Sequence, residues 1–193
     1  MLLFALGLDL VSAGLVLVPV YVLLDRVFFR SWKKTAAYLV FSFYLVAVYH
    51  LVGLPCITYI NPGLSLTLIP FLDMIAAPRA TVLNVALFLP LGFLLPLLWK
   101  HFRTMKNALF FGFGMSLTIE LLQILVGRAT DINDLITNTL GTCLGFLLAK
   151  PLLKAVPGGE DHRSLFLICS IVFAVMFFVD PYIFTFFWNL ILY

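Results

Sequence analysis

Six apolar runs, each about as long as a bilayer is thick, leave this chain few folds to adopt. They cover residues 2–24, 35–54, 81–99, 107–126, 135–153 and 164–179. A helix crosses the hydrocarbon core with roughly 20 residues at about 1.5 Å rise each. Inside that core every backbone N–H and C=O must be bonded within the protein, which a helix achieves segment by segment. Only 11% of the 193 residues are charged, against about 25% in a soluble domain, so little chain remains for a soluble unit. The runs therefore predict an all-α polytopic membrane protein of six transmembrane helices in one bundle, a single transmembrane domain over 1–193. Residues 1–22 lack a basic leading region and a small-residue cleavage site, which predicts a retained span and not a signal peptide.

Two stretches fit the pattern less simply. Residues 55–79 contain Pro55, Pro62, Gly63, Pro70 and Pro78, so no continuous helix crosses there. Yet the segment LSLTLIPFL is too apolar for a solvated loop, which predicts an interfacial or re-entrant segment between the second and third spans. At the other end, Asp180 before Pro181 suits the cap and first position of a new turn. The aromatic tail after it then lies at the interface, where Trp and Tyr are favoured. One long kinked helix is the competing reading of this end.

The basic residues set the orientation. Arg26, Arg30, Lys33, Lys34, Lys100, Arg103, Lys106, Lys150, Lys154 and Arg163 follow spans one, three and five, whereas the opposite side holds Arg79 and Arg128. By the positive-inside rule both termini, and the turn at Arg128, are extracytoplasmic. The net charge of +3 forms no basic face of the kind that binds nucleic acid. Cys56, Cys143 and Cys169 suggest no disulfide framework.

Intramembrane polarity is concentrated in residues 112–145. On the fourth span Gly112, Ser116, Glu120 and Gln123 share one helical face, and on the fifth Asp131, Asp134, Asn138, Gly141 and Gly145 do the same. Facing lipid would leave these groups unpaired, so the stripes should face each other. Asn84 lies at a matching depth on the third span, ahead of Phe88, Gly92 and Pro96 at steps of four. Asn84, Glu120, Gln123, Arg128, Asp131, Asp134 and Asn138 thus outline a polar pocket in the outer half of the membrane. Gly141 and Gly145 allow close helix approach beneath it.

Structural roles compete for the same residues. Asp131 can cap the fifth span and Asp134 can face its helix dipole, while Asn84 and Asn138 can simply bridge helices. Glu120 is costly at that depth unless paired, protonated, hydrated or bound to something, with Arg128 as the basic partner within reach. Asp9 in the first span has no companion motif, and His50 near the end of the second is read as structural. Glu160, Asp161 and His162 fit no metal spacing. No phosphate loop, nucleophile elbow or H-E-x-x-H motif is present. The sequence thus points to no catalytic residue, no metal site and no cofactor.

Four separated pieces agree, in order, with one family pattern. Thr67 to Phe71 is similar to an NLIPF element, with Thr in place of Asn. Asn84 to Gly92 resembles N-x-x-x-F-x-P-x-G, and Ser116 to Gln123 resembles S-x-x-I-E-x-x-Q. Arg128, Asp131, Asp134, Asn138, Gly141 and Gly145 follow its last element. Over about 35–150 the chain resembles the VanZ-like family of bacterial membrane proteins. The resemblance implies the bacterial plasma membrane and a link to resistance to teicoplanin, a glycopeptide with a lipid tail. An outer-leaflet polar pocket suits a ligand with a polar head and an apolar tail. The expected partner is therefore a membrane lipid or lipid-tailed ligand, either a lipoglycopeptide or a cell-wall lipid precursor. A membrane enzyme acting on a lipid-linked head group and an envelope scaffold are the alternatives.

Overall fold

The structure, a computed structural model, describes residues 2–67, 78–155 and 163–192. It contains α1 (Leu2–Leu24), α2 (Trp32–Leu51), β1 (Ser65–Thr67), α3 (Pro78–Leu98), α4 (Met105–Gln123), β2 (Ala129–Asp131), α5 (Ile132–Ala149), α6 (Arg163–Ala174) and α7 (Asp180–Leu192). Counted with the short turns that continue them, six helices are long and apolar enough to cross a membrane: Leu2–Phe29, Trp32–Leu51, Pro78–Leu98, Met105–Val126, Ile132–Lys154 and Arg163–Ile191. This is a multi-pass membrane protein. The residues form two compact units, Met1–Ile60 with Arg163–Tyr193, and Asn61–His162.

In the first unit α1 packs on α2 and α7, and α2 on α6, around fully buried Leu17, Tyr21, Tyr38, Phe41 and Val46. α2 begins three residues before the apolar run suggests. The cause is Asp25, whose Oδ1 accepts Ser31 N–H at 3.0 Å and the Thr35 hydroxyl at 2.6 Å, satisfying donors that a helix start leaves open. Asp180 caps no new turn. Its backbone is helical (φ −55, ψ −42) and its N–H bonds to Val175 O. α6 and α7 are one long helix, joined by a π-helical turn over Val175–Val179. The wide turn accommodates Pro181, which has no N–H to give the ladder.

In the second unit α3 packs chiefly on α5, and α5 also on α4. Phe88, Leu91, Leu95, Trp99, Ala108 and Ala149 are fully buried there. The glycine stripe lets two backbones touch. A Cβ on Gly141 would stand 2.3 Å from Val85 O, one on Gly145 2.0 Å from Leu89 O, and one on Gly92 2.0 Å from Thr142 O. The three glycines therefore bring α3 and α5 together at a separation no side chain would permit.

Where it is described, the connection from α2 to α3 is held by its backbone. Asn61 and Gly63 donate their N–H groups to Leu125 O at 2.9 Å and Ile124 O at 3.0 Å. β1 then pairs in parallel with β2, Ser65 opposite Ala129 and Thr67 opposite Asp131. This segment is strapped along the α4–α5 turn by its backbone. Gly127 permits the strap: its φ is +69, and Gly63 sits against its Cα, a place where a larger residue would be both strained and crowded. Most of LSLTLIPFL, with Pro70 and Phe71, lies outside the described residues, as do Glu160, Asp161 and His162.

Candidate functional site

The candidate site lies at the end of the second unit where α4 leads into α5. Glu120, three residues before the end of α4, is 1% exposed. Its Oε2 accepts the Asp131 backbone N–H at 2.9 Å, and its own carbonyl accepts the Thr130 hydroxyl at 3.2 Å. The acid thus reaches across the turn to the strand that begins the next span. The partner it finds is a main-chain donor, which no side-chain pattern announces. Arg128, Asp131 and Asp134 lie within electrostatic reach of it.

Asp131 caps α5. Its Oδ1 accepts Asn133 N–H at 2.8 Å and the Asn133 amide at 2.9 Å, and its backbone is extended, as the position before a helix requires. Asp134 stands in the first turn, where the helix dipole favours a negative charge. It is also tied to another helix, since Asn84 Nδ2 donates to Asp134 Oδ1 at 2.6 Å. One turn further into α5, Asn138 Nδ2 donates to Ser116 Oγ of α4 at 2.9 Å. Gln123 is buried at the end of α4, and its carbonyl accepts Arg128 N–H at 3.1 Å. Arg128 is exposed at the rim.

Asn84, Glu120, Asp131, Asp134 and Asn138 thus come from three helices and one turn onto the α3–α4–α5 contact. The two stripes face each other, through Asn138 to Ser116 and through Glu120 to Asp131. In a membrane such groups seek each other because lipid supplies no partner.

The VanZ/LLP1 family pattern matches residues 38–154. The chain belongs to the VanZ/LLP1 family. It is also 39% identical over 85 residues to Protein VanZ of Enterococcus faecium, a match covering 44% of this chain and 52% of that protein. The chain thus spans about half the length of this VanZ relative. No solved structure matches the chain. Asn84, Glu120, Gln123, Arg128, Asp131, Asp134 and Asn138 all fall inside the matched stretch.

A second polar set, in the first unit, escaped the sequence reading. The His50 Nδ1 and Asp9 Oδ2 atoms are paired, and the Ser12 hydroxyl donates to Asp180 Oδ1 and to Asp9 O. Asp9, Ser12 and Asp180 are buried. A signal for part of it was available. Asp9 lies 15 residues before the end of α1 and His50 lies 18 after the start of α2, so in an antiparallel pair they stand within about one turn of the same level. Asp180 comes from a distant helix and had no local signature beyond its neighbour Pro181.

Proposed function

We propose that this VanZ-family protein binds an amphiphile whose head group sits at the Asn84, Glu120, Gln123, Arg128, Asp131, Asp134 and Asn138 cluster and whose tail lies along α3, α4 and α5. The ligand is a lipoglycopeptide or a cell-wall lipid precursor, and binding it is the route to the teicoplanin resistance that the family resemblance implies. The observation that carries this reading is the buried Glu120 carboxyl, held next to Asp131 and within reach of Asp134 and Arg128. Ionisable side chains at membrane depth are expensive and are kept where a function needs them.

Glu120→Gln keeps the shape and the Asp131 hydrogen bond while removing the charge, and Asp134→Asn does the same for the partner of Asn84. Each variant is expected to lower teicoplanin resistance of the expressing cells about tenfold or more at unchanged membrane expression. Full resistance in both would make the cluster purely structural. Turnover of a lipid-linked head group by purified protein would turn the binding site into an enzyme.

The reading also requires the Arg128 end of the second unit to face the cell exterior, as the basic residues suggest. Ala129 is exposed there. With Cys56, Cys143 and Cys169 replaced by serine, Ala129→Cys is expected to react with a membrane-impermeant maleimide on intact cells. Labelling only after lysis would place the site on the cytoplasmic side.

A further inference from the structure

We infer that Asp9 and Asp180 share one proton inside the first unit, that His50 delivers it, and that it fastens α7 to α1. A count of hydrogens points there. The side chains of Asp9 and Asp180 are hydrogen-bonded to each other, and both residues are buried. An ionised carboxyl only accepts hydrogen bonds, so a contact between two carboxyls needs a proton on one of them. The neighbours do not replace it. Ser12 has a single hydroxyl hydrogen, and Asp180 Oδ1 and the Asp9 carbonyl both draw on it. The Nδ1 of His50 is turned to Asp9 Oδ2. Without a proton of their own, two carboxylates would stand in contact in a low-dielectric interior, where their repulsion is large.

The pair opens in one direction. His50 is one residue from the end of α2, and its side chain is 16% exposed. An imidazole can take a proton on one ring nitrogen and give one from the other. In uptake an N–H bond of His50 breaks as an O–H bond of the pair forms, and the ring regains a proton from outside. The opposite direction is closed. Ala13, Leu17 and Val46 are fully buried, and the polar contact of Tyr21 with Ser42 lies about two and a half turns beyond Ser12 along α1. Such a dead end stores a proton and does not pass it across the membrane. Of the other titratable groups on the packed helices, Tyr49 of α2 lies within electrostatic reach of Asp180, but its hydroxyl donates to Pro55 O. Cys169 of α6 faces Tyr21. Among the described residues no three His, Cys, Asp or Glu side chains converge to hold a metal ion; a proton needs no cavity. Asp180 also gives the proton leverage. It is the first residue of α7, directly after the π-helical turn Val175–Val179, a geometry that recurs at functional sites. Loss of the proton sets repulsion between α1 and α7 at that point.

The experiment uses the full-length protein in mild detergent. Infrared spectra distinguish a protonated carboxyl from a carboxylate. In neutral buffer one protonated-carboxyl band is expected to disappear in Asp180→Asn and also in Asp9→Asn. A full set of bands in both variants overturns the shared proton. His50→Gln can still hydrogen-bond Asp9 but cannot relay a proton, so deuterium exchange of that band is expected to slow at least about tenfold. An unchanged rate overturns delivery by His50. The fastening is read from amide hydrogen exchange of α7, corrected for the intrinsic rate. As the buffer goes from neutral to alkaline, exchange in the wild type is expected to rise about tenfold or more. It is expected to stay flat in Asp180→Asn, whose amide supplies a hydrogen to Asp9 without titrating. Asp9→Asn serves if that variant does not fold. Equal pH profiles in wild type and variant overturn the fastening.

Discussion

Gly145→Ala is expected to destabilise the protein by about 1–3 kcal/mol, while Gly114→Ala, the same chemical change in the same unit, is expected to stabilise it by about 0.5–1 kcal/mol. The difference lies in what the new methyl group meets. At Gly145 it would stand 2.0 Å from Leu89 O and 2.8 Å from Phe93 N. Both are backbone atoms of a helix, so neither can swing aside. The α3–α5 pair must separate or rotate, and the contacts of Gly141 with Val85 O and of Gly92 with Thr142 O are lost with it. At Gly114 nothing lies within 4 Å, so only the helix-forming advantage of alanine remains. Thermal unfolding in mild detergent measures both. The first effect should also reach the site. Asn84 and Asp134 sit on the same two helices as this contact, and their 2.6 Å hydrogen bond cannot survive a shift of an ångström or more. On the function proposed above, Gly145→Ala is therefore expected to lower teicoplanin resistance as well as stability. Equal stability of the two variants would mean that the close approach of α3 and α5 is not what holds this unit together.

What could be read beforehand was periodic or compositional. Apolar runs of spanning length give the helices, and spacing of three and four places Glu120, Asp134 and Asn138 on facing stripes. The glycines of the same stripe indicated where helices touch, and the structure puts Gly141 and Gly145 against the α3 backbone. What could not be read depends on main-chain groups or on distant chain. Glu120 meets the N–H of Asp131, and any residue but proline offers that. The strap of residues 61–67 is held by carbonyls of Leu125 and Ile124 and by a three-residue ladder, with only Gly63 and Gly127 as outward signs. α2 starts early because of Asp25, seven residues upstream of its first turn. Asp180 resembles a cap in sequence because it precedes proline. It serves instead as a partner of Ser12, 168 residues away.

That second cluster carries the other large expected effect. His50→Leu is expected to cost about 3–5 kcal/mol, because it removes the half-buried partner of the buried Asp9 carboxyl and strands that carboxyl. Asp9 is 7% exposed and Asp180, 4% exposed, also reaches it. Without the imidazole, the Asp9 carboxyl faces that of Asp180, to which Ser12 donates. The opposite deletion should be milder. Asp9→Asn leaves the imidazole next to an amide that can still hydrogen-bond it. The asymmetry separates a stranded charge from lost packing. If stranding is the cause, Asp9→Asn combined with His50→Leu should be more stable than His50→Leu alone, an antagonistic coupling of at least about 1 kcal/mol between residues in contact. If lost packing is the cause, the double variant should be the least stable of the three. Since α1 meets α2 through Asp9 and His50, and meets α7 through Ser12 and Asp180, the same measurement decides whether the contacts among these helices depend on paired charge or on their apolar faces.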